Sequence, residues 1–131
     1  KICSGGGGLL STISDYLRFC QMLLNNGKLD GQQLLSRKTI EMMTCDHLSG
    51  NMRPYDQKGI GFGLGFSVVT DLAQSGIPGS EGVYHWGGAA STTFWIDPKE
   101  ELIAILMTQL LGNHHPFLSQ FRVLTYQTII D

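Results

Sequence analysis

The chain has 131 residues, 42% of them hydrophobic and 15% charged, with a formal net charge of -2. A chain of that length buries roughly two thirds of its unfolded surface and makes one domain. The faint negative charge provides no electrostatic footprint for nucleic acid or an anionic membrane, and no apolar run approaches the roughly 18 residues of a membrane helix. The opening Lys1-Ile2-Cys3-Ser4 does not read as a signal peptide, and no Met begins the chain, so a piece of a longer protein is expected. Cys3, Cys20 and Cys45 are odd in number and too widely spaced for a zinc ribbon. They read as free thiols, with Cys20 and Cys45 buried in helical patterns as small hydrophobes.

Gly5-Gly6-Gly7-Gly8 lacks the lysine and hydroxyl of a phosphate-cradling loop and reads as a backbone passage. Thr12, followed three residues later by Asp15, marks a helix start. Ile13, Leu17, Cys20 and Leu24 then give that helix an apolar face, and Asn25-Asn26-Gly27 closes it with residues that tolerate a left-handed cap. After a turn at residues 28–32, Ser36 caps a shorter helix through Ile40 and Met43, where Met42 and Met43 read as core filler. Residues 46–59 are polar and turn-rich and read as a loop. From Gly61 to Val69 glycine alternates with large apolar residues and then β-branched ones, which predicts one strand with its glycines on one face and something packed flat against them. This G-x-G-x-G run leads into no helix, so it does not read as a dinucleotide site.

The segment from Tyr84 to Pro98 is the most site-like part of the chain. Val83-Tyr84-His85-Trp86 and Thr92-Thr93-Phe94-Trp95-Ile96 are β-type runs flanking Gly87-Gly88, and Asp97-Pro98 is a turn. Paired glycines beside bulky aromatics mark a strand end that another backbone or a ligand approaches closely. Leu102 to Met107 predicts a strand buried on both faces, and Phe117, Phe121, Leu124, Ile129 and Ile130 a closing amphipathic helix. The order is helix, helix, about four strands joined by short turns, helix: an α+β domain with an antiparallel sheet packed by helices. Convergence of His47, His85, His114 and His115 on a metal needs four scattered residues, so no metal or cofactor is expected.

Ser4-Gly5-Gly6-Gly7-Gly8-Leu9-Leu10-Ser11-Thr12, the helix with Asp15-Tyr16, Gly61-Phe62-Gly63-Leu64-Gly65-Phe66 and His85-Trp86-Gly87-Gly88 together resemble the C-terminal part of the serine β-lactamase superfamily. The likeness is to its class C-like esterase and penicillin-binding-protein-like branch. The resemblance implies serine acyl transfer with three boxes, Ser-x-x-Lys, Tyr-x-Asn or Ser-x-Asn, and Lys-Thr-Gly on a strand edging the site. It implies that His85 stands in for the lysine and Trp86 for the threonine. Trp86 and Gly87 then contact substrate, and Gly88 supplies a backbone N–H to the oxyanion hole. No Ser here is followed three residues later by Lys, no Tyr-x-Asn occurs, and Ser49-Gly50-Asn51 lies in the wrong place. The chain therefore reads as the final part of such an enzyme, without the nucleophile and inactive alone. A small ester or lactam is the expected substrate once the missing part completes the site. The alternative is a truncated binding or structural module, whose uncovered sheet edge predicts self-association into a homo-oligomer. His85, at a strand end, is expected to tolerate Ala at a cost within about half a kcal/mol.

Overall fold

Helix α1 (Ile13–Leu24) begins where the Thr12 hydroxyl oxygen accepts the Asp15 N–H at 3.2 Å. A side chain that takes up an orphan N–H of the first turn stabilises a helix by about 1 kcal/mol. The helix ends as its asparagines and glycine suggest: Asn26 and Gly27 are both left-handed, and Gly27 N–H donates to Met22 at 2.8 Å. A computed structural model describes residues 7, 9–48, 52–112 and 115–130. Cys3, most of the Gly5–Gly8 run, Ser49-Gly50-Asn51 and His114 lie outside the described residues.

The buried face of α1 is not the predicted one. Ile13 and Leu17 are 50% and 45% exposed, while Cys20 and Leu23 are buried and Tyr16 packs beside them. Tyr16 sets this rotation, because its ring meets Phe94 of the sheet edge-on at 5.1 Å. Tyr16, Cys20 and Leu23 follow the i, i+4, i+7 stripe of a helix laid on a surface. Burial pushes the Cys20 thiol up to about 12, so it is an inert core group.

The short pair β1 (Lys28–Leu29) and β2 (Gln32–Gln33) brackets the turn at Asp30-Gly31. Ser36 caps α2 (Arg37–Met43), which buries Ile40 and rests Met43 against the core. Met42 points outward, so only one of the two methionines fills the core. Cys45 is likewise exposed, one residue past the helix cap, its thiol donating to the Glu41 carbonyl at 2.9 Å.

Five antiparallel strands form a meander in the order β3-β4-β5-β6-β7: β3 (Ile60–Phe62), β4 (Ser67–Val69), β5 (Tyr84–Gly87), β6 (Thr93–Asp97) and β7 (Leu102–Leu106). The fold class is as read, α+β with an antiparallel sheet, but the single strand expected over 61–69 is two. Gly63 N–H donates to Phe66 and Gly65 adopts φ +102, so the chain turns back on itself. The alternating glycines thus serve two purposes. Gly61 and Gly63 lie against the end of α2 and the residues just after it, where a Cβ would run into the Asp46 side chain and the Met43 carbonyl. Gly65 makes the turn.

Strand alternation divides the sheet between two helical layers. Tyr84, Phe94 and Ile96 face α1 and α2, whereas Val83, Trp95 and Ala104 face the closing helix α4 (Phe117–Tyr126). The short α3 (Leu72–Ser75) lies between β4 and β5 in sequence. Strand β7 buries only Ala104, because it is an edge strand and not the doubly covered one expected. Helix α4 also departs from its expected face: Leu124 is 62% exposed, and Ile129 and Ile130 follow the helix. Its contacts are Phe121, edge-on to Trp95 at 5.3 Å, and Tyr126, stacked on Trp95 at 6.3 Å.

Under α4 sits Asp97, with 0% exposure, which accepts the Tyr126 hydroxyl at 2.9 Å and the Lys99 N–H at 3.1 Å. Removing a partner from a buried carboxylate leaves its desolvation uncompensated. Tyr126→Phe is therefore expected to destabilise the fold by about 1–3 kcal/mol, read as a lower urea midpoint.

Candidate active site

The direction of the β5 backbone decides what this segment can offer. Gly88 N–H donates to Thr92 at 3.0 Å, so even-numbered residues of the segment point their N–H and C=O groups at β6. Odd-numbered residues point the other way, toward β4, as the 2.8 Å bond from Val69 N–H to the Val83 carbonyl shows. The pairing of β4 with β5 stops at Ser67 opposite His85. Beyond it Gly87 faces no strand, and Ala89 N–H has no acceptor among the described residues. The predicted oxyanion donor is thus corrected: Gly88 N–H is consumed in closing the hairpin, and the open groups belong to Gly87 and Ala89.

These open groups border a cleft of about 430 Å³ lined also by Tyr55, Trp86, Thr92, His85 and Leu118. The loop carrying Ala89 is held in place from a distance. Thr108 Oγ1 and Leu110 N–H both donate to the Ala90 carbonyl, at 2.6 and 3.1 Å, and Ser91 Oγ donates to the Leu110 carbonyl at 2.8 Å. Ser91 is buried with φ +60, so its hydroxyl serves as a tie between segments. Gly87 and Gly88 crowd Thr92: an added Cβ would lie 3.1 Å from the Thr92 carbonyl oxygen at Gly87 and 2.5 Å from Oγ1 at Gly88. Close backbone approach is therefore what this glycine pair permits, as its sequence suggested.

His85 and Trp86 both reach the cleft but start from opposite faces of β5. His85 lies opposite Ser67 on one side and Trp95 on the other, on the α4 face. Trp86 packs on the α1 face and meets Phe62 edge-on at 5.1 Å. As consecutive strand residues they leave β5 on opposite faces and approach the cleft from different sides. His85 is also a poor cation. Burial, and secondarily the positive Arg122, pull its pKa down to about 4, and Nε2 is buried without a hydrogen-bond partner among the described residues. A neutral imidazole cannot supply the charge of a lysine.

Arg122 was not singled out in the sequence. Its guanidinium sits 5.1 Å over the Trp95 ring, and Nε donates to the Pro78 carbonyl at 3.0 Å. Burial lowers its pKa, while Tyr126 and Asp97 oppose that shift. Tyr55, within a stretch read only as loop, was also missed; Pro54 before it was the single local signal. His47 is used structurally, with Nε2 2.7 Å from the Met42 carbonyl. Among the described residues no three metal-ligating side chains converge.

A sequence profile of the Beta-lactamase family matches residues 3–127. The chain belongs to that family. It is 40% identical over 128 residues to an uncharacterized protein of Mycobacterium tuberculosis, called MT1414 in strain CDC 1551 / Oshkosh and Rv1367c in strain H37Rv. That alignment takes in 91% of this chain and 31% of the relative, so this Beta-lactamase family chain spans about a third of its curated relatives' length. Among solved structures it is similar to EstCE1, a hydrolase with promiscuous acyltransferase activity. There the TM-score is 0.80 at 25% identity, covering 94% of this chain and 32% of that one. It also shares the fold of simvastatin synthase (LovD) from Aspergillus terreus, with TM-score 0.72, 23% identity, and coverage of 91% and 34%. A penicillin-binding protein homolog from Caulobacter crescentus is similar at TM-score 0.66 and 20% identity, with coverage of 85% and 30%. The resemblance to the β-lactamase superfamily read in the sequence thus holds for this chain.

His85 is partly exposed as a residue, while its Nε2 is buried. A histidine whose pKa is lowered on folding adds stability above its unfolded value near 6.5, and that stability is lost as pH falls through about 4. The urea midpoint should therefore drop more steeply between pH 6.5 and 4 in the parent protein than in His85→Gln.

Proposed function

We propose that this chain is the C-terminal portion of a serine acyl-transfer enzyme acting on esters. It would contribute one wall of the site and one donor of the oxyanion hole. The observation that carries this reading is the unpaired run past Ser67, where Ala89 N–H, in the turn that closes the β5–β6 hairpin beside an open cleft, has no acceptor among the described residues. In acyl transfer, negative charge grows on the carbonyl oxygen as the tetrahedral intermediate forms. A fixed N–H aimed at that oxygen acts without having to reorient. Gly87, with no side chain, lets a substrate carbonyl come up to the strand edge. Membership of the Beta-lactamase family and similarity to EstCE1 support the reaction class.

The nucleophile must come from outside these residues, because no Ser-x-x-Lys occurs among them. Removing the nucleophile of a serine hydrolase costs on the order of a million-fold in rate. The isolated chain is accordingly expected to turn over esters no faster than a buffer control. His85, neutral and half-buried, is a positioning group behind the strand in this reading, and Trp86 and Gly87 border the substrate.

A second reading rests on a different observation. Leu9, Leu10 and Leu111 are largely exposed, and Leu9 and Leu10 border a groove of about 590 Å³ with Tyr16, Ile105 and Met107. Apolar surface of this kind is covered in a stable protein, here by the remainder of the enzyme or by a second copy. A dimer in sedimentation equilibrium of the isolated chain would favour the self-associating module, and a monomer the enzyme portion.

Ala89→Pro tests the main proposal, since it deletes the proposed donor and little else. In the complete gene product kcat for a simple ester should fall about 100- to 1,000-fold while the melting temperature changes little. Unchanged kcat would remove Ala89 from the oxyanion hole.

A further inference from the structure

We propose that Tyr55 and Trp86 form an aromatic wall that selects uncharged esters carrying a flat aromatic group. This rests on the acyl-transfer reading above and names its substrate class.

Tyr55 has no structural reason to be where it is. Its side chain is 84% exposed, yet its ring lies 6.4 Å from that of Trp86 with only 28° between their planes. That distance is near the outer limit of direct ring contact, so the two rings form neighbouring panels of a wall and do not close on one another. The backbone beneath them is unusual. Tyr55 and Asp56, neither of them glycine, are both left-handed, at φ +55 and +56, directly after Pro54. Non-glycine residues seldom adopt this conformation, and successive ones cluster where a turn must aim a side chain. Trp86 is steadied from another side by Phe62, edge-on at 5.1 Å.

The wall stands beside the open strand edge. Pro54, Tyr55 and Trp86 line the same cleft as Gly87 and Ala89, with Leu118 of α4 also contributing. A carbonyl held near Ala89 N–H would therefore leave one of its substituents against the two rings. None of the described residues lining this cleft is Asp, Glu, Lys or Arg. The only titratable imidazole there, His85, is held neutral by burial and by Arg122 behind it. A ligand carboxylate set against the two rings would give up hydration there without gaining a counter-charge, which disfavours it. An uncharged aromatic group gains ring contact at little desolvation cost.

The experiment compares methyl phenylacetate, methyl acetate and the phenylacetate anion in the complete gene product. Turnover of the esters is followed as acid release, and binding of all three through the Trp86 indole N–H in NMR spectra. The aromatic ester should have a kcat/KM at least tenfold above methyl acetate, and the anion should bind at least tenfold more weakly than the aromatic ester. Tyr55→Ala should lower the ratio of kcat/KM for methyl phenylacetate to that for methyl acetate roughly three- to tenfold, whereas Tyr55→Phe should keep the preference. An aromatic preference that is absent, or that survives Tyr55→Ala, overturns the wall while ester hydrolysis itself stands. Equal binding of phenylacetate and its methyl ester overturns the selection for uncharged ligands. If neither ester is hydrolysed but methyl phenylacetate still shifts Trp86 in a Tyr55-dependent way, the acyl-transfer reading falls and the aromatic subsite remains.

Discussion

The antiparallel register of β5 against β6 is the constraint from which the rest of the site follows. With Trp86 opposite Phe94 and Gly88 bonded to Thr92, each residue of the segment has a fixed side-chain face and a fixed direction for its N–H. A slip of one residue would exchange His85 with Trp86 across the sheet and turn the open N–H groups into the hairpin. Both helical layers oppose such a slip. Tyr84 and Phe94 are locked beneath α1, while Val83 and Trp95 are locked beneath α4. The cleft thus inherits its geometry from two separate hydrophobic cores.

Much of the fold was legible in the sequence because it depends on local chemistry. Thr12, Ser36 and the Asn25-Asn26-Gly27 closure are short-range devices, and each acts where its residue type suggests. The outward faces of helices were less legible. A stripe through Ile13, Leu17, Cys20 and Leu24 and one through Tyr16, Cys20 and Leu23 overlap on the same helix. Only the ring contact of Tyr16 with Phe94, a tertiary feature, selects between them. The same holds for α4, where the guanidinium of Arg122 and the rings of Phe121 and Tyr126 meet Trp95 in place of a purely aliphatic stripe. The Gly61–Phe66 alternation misled for another reason: a period of two is shared by a strand and by a tight hairpin whose glycines serve different ends.

The candidate site was legible as a segment but not as a set of roles. Gly87-Gly88 beside Trp86 identified the strand end, and the family resemblance supplied the chemistry now proposed for it. Which amide stays open depends on where β4 stops pairing, and nothing in the Tyr84–Pro98 segment encodes that endpoint. It is set by the Gly63–Phe66 turn, some twenty residues earlier in the chain, which delays the start of β4 until Ser67. The neutral state of His85 was equally hidden, since it comes from burial in the assembled fold, with a lesser contribution from Arg122 on the closing helix.

The ties that join Ala90 and Ser91 to Thr108 and Leu110 carry an implication for the cost of reaction. A solvent dipole answering a developing charge must first rotate, and that rotation is part of any barrier in water. The Ala89 amide sits in a loop anchored through its next two residues to the chain beyond β7. Its dipole is therefore oriented during folding, and the work of aligning it is done once per molecule instead of once per turnover. In the proposed acyl-transfer role, residues well outside the cleft, Thr108 foremost, would thereby become part of the electrostatics of the reacting bond without ever touching it.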